Sequence, residues 1–185
     1  MPYFSSFCAA EQHITPVSEH FVSAALAGLL FRWKRAAGRK DLMLDALASS
    51  PSMQRTHGDA RAALFVSGGQ TRLADLRQAG SAKAILPRTH GPAPKVVFLN
   101  TSGGVTGGDA LRFTIELGEG AHAIGTTQTA ERAYKALGGA QGPGRIETRL
   151  TLAAGARLDW VPQEIILFEG SDIERKTRVD MAEYL

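Results

Sequence analysis

Over several stretches of this chain apolar and polar positions alternate with a period of two, the pattern of half-buried β-strands. Arg145 to Leu152 shows it most clearly. Ile146, Thr148, Leu150 and Leu152 fall on one face, and Arg145, Glu147, Arg149 and Thr151 on the other. Leu111 to Leu117 and Ile173 to Met181 alternate in the same way. Ala62 to Val66 leads into Ser67-Gly68-Gly69, a hairpin-type connection, and Lys83 to Leu86 stops at Pro87. A further apolar run, Val96 to Leu99, enters a glycine-rich stretch from Asn100 to Asp109. Ala130 to Leu137, closed by Gly138-Gly139, is the single helix the pattern predicts after residue 60.

The texture differs before residue 53. Residues 1 to 52 are rich in Ala and Ser and predict a helical or poorly ordered N-terminal extension, with the β-rich domain running from 53 to 185. Residues 22 to 31 form the one long apolar run, far too short to span a bilayer. Its flanks are inverted for a signal peptide, with Glu19 and His20 before it and Arg32, Lys34 and Arg35 after it. A short amphipathic helix fits best, and a membrane-surface adaptor acting through residues 22 to 40 is a minority alternative.

A faint internal repeat runs through the β region. Leu117, Gly120, Ala121 and Gln128 recur as Leu152, Gly155, Ala156 and Gln163, each after the same interval. Each copy reads as a strand, a glycine turn and a second strand, which predicts a stacked, β-helix-like (solenoid-type) architecture with few short helices.

The glycine stretch Asn100-Thr101-Ser102-Gly103-Gly104-Val105-Thr106-Gly107-Gly108-Asp109 resembles a phosphate cradle at first sight. A P-loop needs Lys and Ser/Thr after its last glycine, and here Asp109 and Ala110 stand in those places. An aspartate there repels an anion. The next segment has a strand period, so no helix dipole points at a phosphate either. The stretch is expected to turn the chain between two strands, for which glycine is the natural residue.

The chain has 185 residues, enough for one domain with a real core. Its net charge of +3 is too small to imply a nucleic-acid partner, and its single cysteine, Cys8, excludes a disulfide framework or a thiolate zinc site. No HExxH, CxxC or HxH spacing occurs, and no G-x-S-x-G elbow. Candidate polar groups are therefore isolated ones. Glu164, in Pro162-Gln163-Glu164 before the apolar run Ile165 to Phe168, is expected to be partly buried, either at a metal or proton site or paired with an arginine. His90 sits in a stiff loop between prolines, and His122 falls on the outward phase of its strand. Paired carboxylates Asp159 and Glu164 would support a β-solenoid hydrolase as the enzymatic alternative. The scarcity of catalytic signatures favours binding or scaffolding over catalysis.

Four segments together resemble the UreD (UreH) family of urease accessory proteins. They are Ser81 to Arg88, Phe98 to Asp109, Thr126 to Tyr134 and Gly155 to Glu164. The motif positions are Asn100, Gly103, Gly104, Gly107, Gly108, Asp109, Gln128, Tyr134, Pro162, Gln163 and Glu164. The resemblance covers roughly residues 58 to 185. It implies a cytoplasmic, non-enzymatic protein that assembles with UreF and UreG on apo-urease and helps insert nickel, without a permanently bound cofactor. It also implies an internal passage for nickel, with Glu164, Asp109 and His90 as weak, transient contacts. Relatives continue through further strands, so the β stack is expected to be incomplete at its C-terminal side.

Overall fold

The computed structural model describes residues 10–14 (backbone only), 54–89, 91, 93–137 and 141–182. Those residues form twelve strands and no helix. They are β1 (Ala10–Ile14), β2 (His57–Ser67), β3 (Gln70–Gly80), β4 (Ala82–Ile85), β5 (Lys95–Asn100) and β6 (Ala110–Leu117), followed by β7 (His122–Thr127), β8 (Glu131–Ala133), β9 (Gly144–Leu152), β10 (Arg157–Val161), β11 (Ile165–Leu167) and β12 (Ile173–Met181).

Three sheets result. The largest has the order β1-β12-β9-β6-β2-β3; the second is β10-β7-β5-β4; the third is β11-β8. Inside the large sheet β2, β6, β9 and β12 run parallel, while β1 and β3 lie antiparallel on its two edges. In the second sheet β5, β7 and β10 are parallel, and β8 and β11 are parallel in the third.

The register gives the internal repeat its meaning. Leu117 pairs with Leu152, and His122 pairs with Arg157, so residues one repeat apart are neighbours across a ladder. The chain passes β6, β7 and β8, one strand in each sheet, and returns to the first sheet as β9; β10 and β11 follow the same route before β12. Two turns stack in consequence. Gly120 and Gly155 both take left-handed φ values, 63° and 64°, which a side chain disfavours. Gly120 N donates to Ala154 O at 2.9 Å, and Arg157 N to Ala121 O at 2.8 Å.

Alternation decides which residues enter the core. Leu111, Phe113, Ile115 and Leu117 of β6 are buried, as are Ile146, Thr148 and Leu150 of β9. All of these but Thr148 meet Val96 and Phe98 of β5 in one hydrophobic cluster. The Phe98 ring lies 5.0 Å from Phe113 and 6.4 Å from Trp160, within the range of favourable aromatic pairs. The opposite phase carries charge. Asp59, Arg112 and Glu147 occupy one row across β2, β6 and β9, with Arg112 3.8 Å from Asp59 and 3.2 Å from Glu147. Arg61 reaches both Glu116 and Asp75.

The helix expected over Ala130 to Leu137 is not present. Glu131–Ala133 is β8, paired with β11, and Lys135 bridges to Ser171. The segment has good helix formers, but it is short, and isolated helices of that length are marginal. The ladder it forms with β11, later in the chain, wins. Among the described residues the fold is therefore mainly β, without the few short helices expected of it. The rest of residues 1 to 52, including 22 to 40, lies outside the described residues; Ala10–Ile14 within it is a strand.

Candidate functional site

Between strands of the three sheets lies a small cavity of about 30 Å³ with a mixed apolar and polar lining, room for a water-sized occupant. Strand alternation delivers its lining from elements far apart in sequence. Phe98 and Asn100 come from β5, Phe113 from β6, Thr127 from β7, Glu131 from β8, Ile146 and Thr148 from β9, and Arg175 from β12. Gln128, Thr129 and Gln163 are exposed and form its rim. Gln128 and Gln163 are one repeat apart, so the pseudo-symmetry of the fold brings two carboxamides to one opening.

Two opposite charges share this cavity. Burial raises the Glu131 carboxyl above its ordinary value, although the Arg132 amide at 3.2 Å and Asn100 Nδ2 at 3.4 Å favour the ionised form. Burial likewise pushes the Arg175 guanidinium below its usual range, opposed by the charge of Glu131. Both groups would be costly there alone, and each is the compensating charge of the other. At the rim Thr129 has φ 52°, an uncommon conformation for a β-branched residue and a mark of local strain. Gln128 N donates to Phe98 O at 2.7 Å and Gln163 N to Thr127 Oγ1 at 2.9 Å, which pins this strained corner.

The glycine stretch is a neighbouring structural device. Asn100 Oδ1 accepts from Ser102 N and Oγ at 3.0 and 2.6 Å, while its Nδ2 donates to Gly104 O at 3.1 Å. Asp109 is 5 % exposed. Its Oδ1 accepts from Thr56 N and its Oδ2 from Thr106 N, both at 2.8 Å. This carboxylate therefore ties the loop to the chain entering β2. At Gly104, with φ 154°, a Cβ would stand 2.3 Å from the Tyr134 ring. That ring stacks on Phe168 at 5.3 Å.

The structure separates the remaining sequence candidates. Glu164 is exposed, not partly buried, because the strand before it ends at Val161; its main-chain oxygen accepts from Glu131 N at 3.0 Å. His90 lies outside the described residues. His122 is half-buried, with Nε2 3.1 Å from Asp159 Oδ2. Asp159 also accepts from Arg157, and the hydrogen bond from His122, followed by that from Arg157, holds its carboxyl below the usual range. A carboxylate held ionised in this way is poorly suited to general-acid work. Among the described residues no group of three or more His, Cys, Asp or Glu side chains is placed to hold a metal. A larger cleft of about 330 Å³ lies on the outer face beside Asp59, Arg112 and Glu147, whose charges are already matched.

Glu131 and Arg175 were not singled out from the sequence. A signal existed for one of them. In the alternation of Ile173 to Met181, Arg175 falls on the phase of Ile173 and Val179, and a charge in an inward position is uncommon without a partner. Glu131 gave no such signal, because its segment read as a helix.

Comparison with known proteins agrees with the four motif segments. Residues 56–184 match a family described as UreD urease accessory protein. A urease accessory protein UreD of Dinoroseobacter shibae is 55% identical over 136 residues, covering 73% of this chain and 47% of the relative. One from Cereibacter sphaeroides (strain ATCC 17023) is 53% identical over 133 residues, 72% of this chain and 47% of the relative. One from Jannaschia sp. is 52% identical over 141 residues, 76% and 49%. The chain thus spans about half the length of the curated relatives it matches. Among the described residues no helix is long and apolar enough to cross a membrane. With a family match over residues 56–184 and relatives more than half identical across that region, this chain belongs to the UreD urease accessory proteins.

Proposed function

We propose that this chain acts in urease maturation, in a cytoplasmic assembly with UreF and UreG on apo-urease, and that nickel passes through it as cargo. The observation that supports this reading is the interior cavity, where Glu131 is a single oxygen donor balanced by Arg175 and surrounded by the carboxamides of Asn100, Gln128 and Gln163. One carboxylate with neutral oxygens is a weak set for a divalent ion, and hard oxygen ligands exchange readily. Weak contact suits a metal that must leave. Exposed Glu164 is a second, outer contact on this reading, and the paired ladders one repeat apart support a solenoid-type description of the stack that holds the path.

Co-purification tests the assembly. Tagged chain is expected to retain UreF and, with it, UreG and apo-urease. Failure to retain UreF under conditions that keep a full-length relative's complex intact overturns the partner assignment. Replacing Glu164→Ala is expected to lower the nickel content of the urease produced; an unchanged nickel content removes Glu164 from the path.

A further inference from the structure

The chain rounds the corner from the second sheet to the third after β5, after β7 and after β10, and the three corners differ in length. Val97, Thr126 and Val161 form one row across β5, β7 and β10. Val105, Ala133 and Leu167 form a second row at the third sheet. Between those rows the chain takes eight residue steps in the first corner, seven in the second and six in the third. Each row fixes its members at strand spacing, about 4.8 Å apart, so the ends of every corner are pinned and the extra residues must bulge. Left-handed residues absorb them. Gly103 and Gly104 do so in the first corner, at φ 83° and 154°, and Thr129 in the second, at 52°. Between Val161 and Leu167 no residue has a positive φ.

Glycine takes that conformation freely, whereas a β-branched threonine is strained in it. Such strain persists only where the surroundings fix it, and it collects at functional sites. Here Gln128 N donates to Phe98 O at 2.7 Å and Glu131 N to Glu164 O at 3.0 Å, which clamps Thr129 between the corners on either side. Corners of equal length stack flush, and unequal ones leave space between them. The Glu131 cavity lies in that space, lined by Asn100 of the first corner, Thr127 and Thr129 of the second and Gln163 of the third. Its exposed rim, Gln128, Thr129 and Gln163, stands where the seven-step corner meets the six-step one.

We infer that this mismatch is a side entrance to Glu131, that Thr129 is the positioning residue that holds it open, and that a small cation enters here through the flank of the stack. The rim side chains carry carboxamide and hydroxyl oxygens and the carboxylate stands behind them, an oxygen-lined route that suits a hard cation shedding water. That the cation is the metal cargo rests on the function proposed above; the entrance itself rests on the register alone.

The rate at which Hg²⁺ reaches a thiol at the cavity tests the entrance. In a Cys8→Ser chain carrying Glu131→Cys, thiolate capture of excess Hg²⁺ is followed by stopped-flow ultraviolet absorbance. Thr151→Cys, on the exposed outer face of β9, gives the unhindered rate in the same backgrounds. Deleting Thr129 makes the second corner as short as the third, and Gln163→Trp fills the rim without altering the backbone of the second corner. Both changes are expected to slow capture at position 131 at least ten-fold and to leave capture at position 151 unchanged. Thermal unfolding with a single cooperative transition shows that each variant is folded. Capture at position 131 that is unchanged by Gln163→Trp in the folded chain overturns the entrance, whatever the deletion does. The use of the entrance by cargo is read separately, as the nickel content of urease matured with the chain lacking Thr129 but retaining Glu131. At least a two-fold fall relative to the parent chain is expected. An equal nickel content, with capture at position 131 slowed, overturns entry of the cargo by this route, while loading by the parent chain itself remains the test of the proposed function.

Discussion

Glu131 carries more of the account than any other single side chain. Burial raises its carboxyl above the ordinary value of 4.5, so ionisation costs more in the folded chain than in the unfolded one. The sign follows from linkage. Below the ordinary value the group is neutral in folded and unfolded chains alike, and nothing is lost; as pH rises through the raised value, ionisation is penalised in the folded state only. Glu131→Gln is therefore expected to raise Tm relative to the parent at about pH 8 and to leave it unchanged at about pH 4. A gap of the same size at both values contradicts the assignment. Gly104 makes the opposite point, since its importance lies in having no side chain. Gly104→Ala brings a Cβ to 2.3 Å from the Tyr134 ring. It is expected to destabilise by about 1–3 kcal/mol in urea denaturation, the range of an overpacked site. The glycine motif was legible in the sequence, and so was its role as a turn. The use of both Asp109 oxygens by the amides of Thr56 and Thr106 was not, because one donor lies far upstream of the loop.

At the level of strands, alternation and the repeat spoke clearly. The faces read for Arg145 to Leu152 are those of β9, with Ile146, Thr148 and Leu150 buried. The interval between Leu117 and Leu152 is the register of the β6–β9 ladder. The segment after Ala130 misled because its composition favours a helix while its fate is set by β11, a partner more than thirty residues later. The two faces of the large sheet should also respond unequally. Ile115 is fully buried, and Ile115→Ala is expected to cost about 2–5 kcal/mol. Arg112 lies in an exposed row of charges, and Arg112→Met is expected to change stability by less than about 1 kcal/mol. Chemical denaturation of the two variants measures both. Similar losses would mean that the core and the charged face have been assigned to the wrong sides.

For the molecule as a whole, family was written in local wording and the site was not. Four motif segments identify a UreD chain because each is contiguous. The cavity is assembled from β5, β6, β7, β8, β9, β11 and β12 with the rim after β7 and before β11, and no spacing rule links Asn100, Glu131 and Arg175. It comes into being only when the chain returns to the same sheet one repeat later. On the function proposed above, this protein assists the loading of nickel into urease. The most direct measurement is the nickel content of urease purified from a host lacking its own UreD, with and without this chain supplied alongside UreF and UreG. The account predicts nickel incorporation above the uncomplemented level with this chain, and a lower content when Glu131→Gln is supplied instead. Urease with the same nickel content whether or not the chain is present would contradict it.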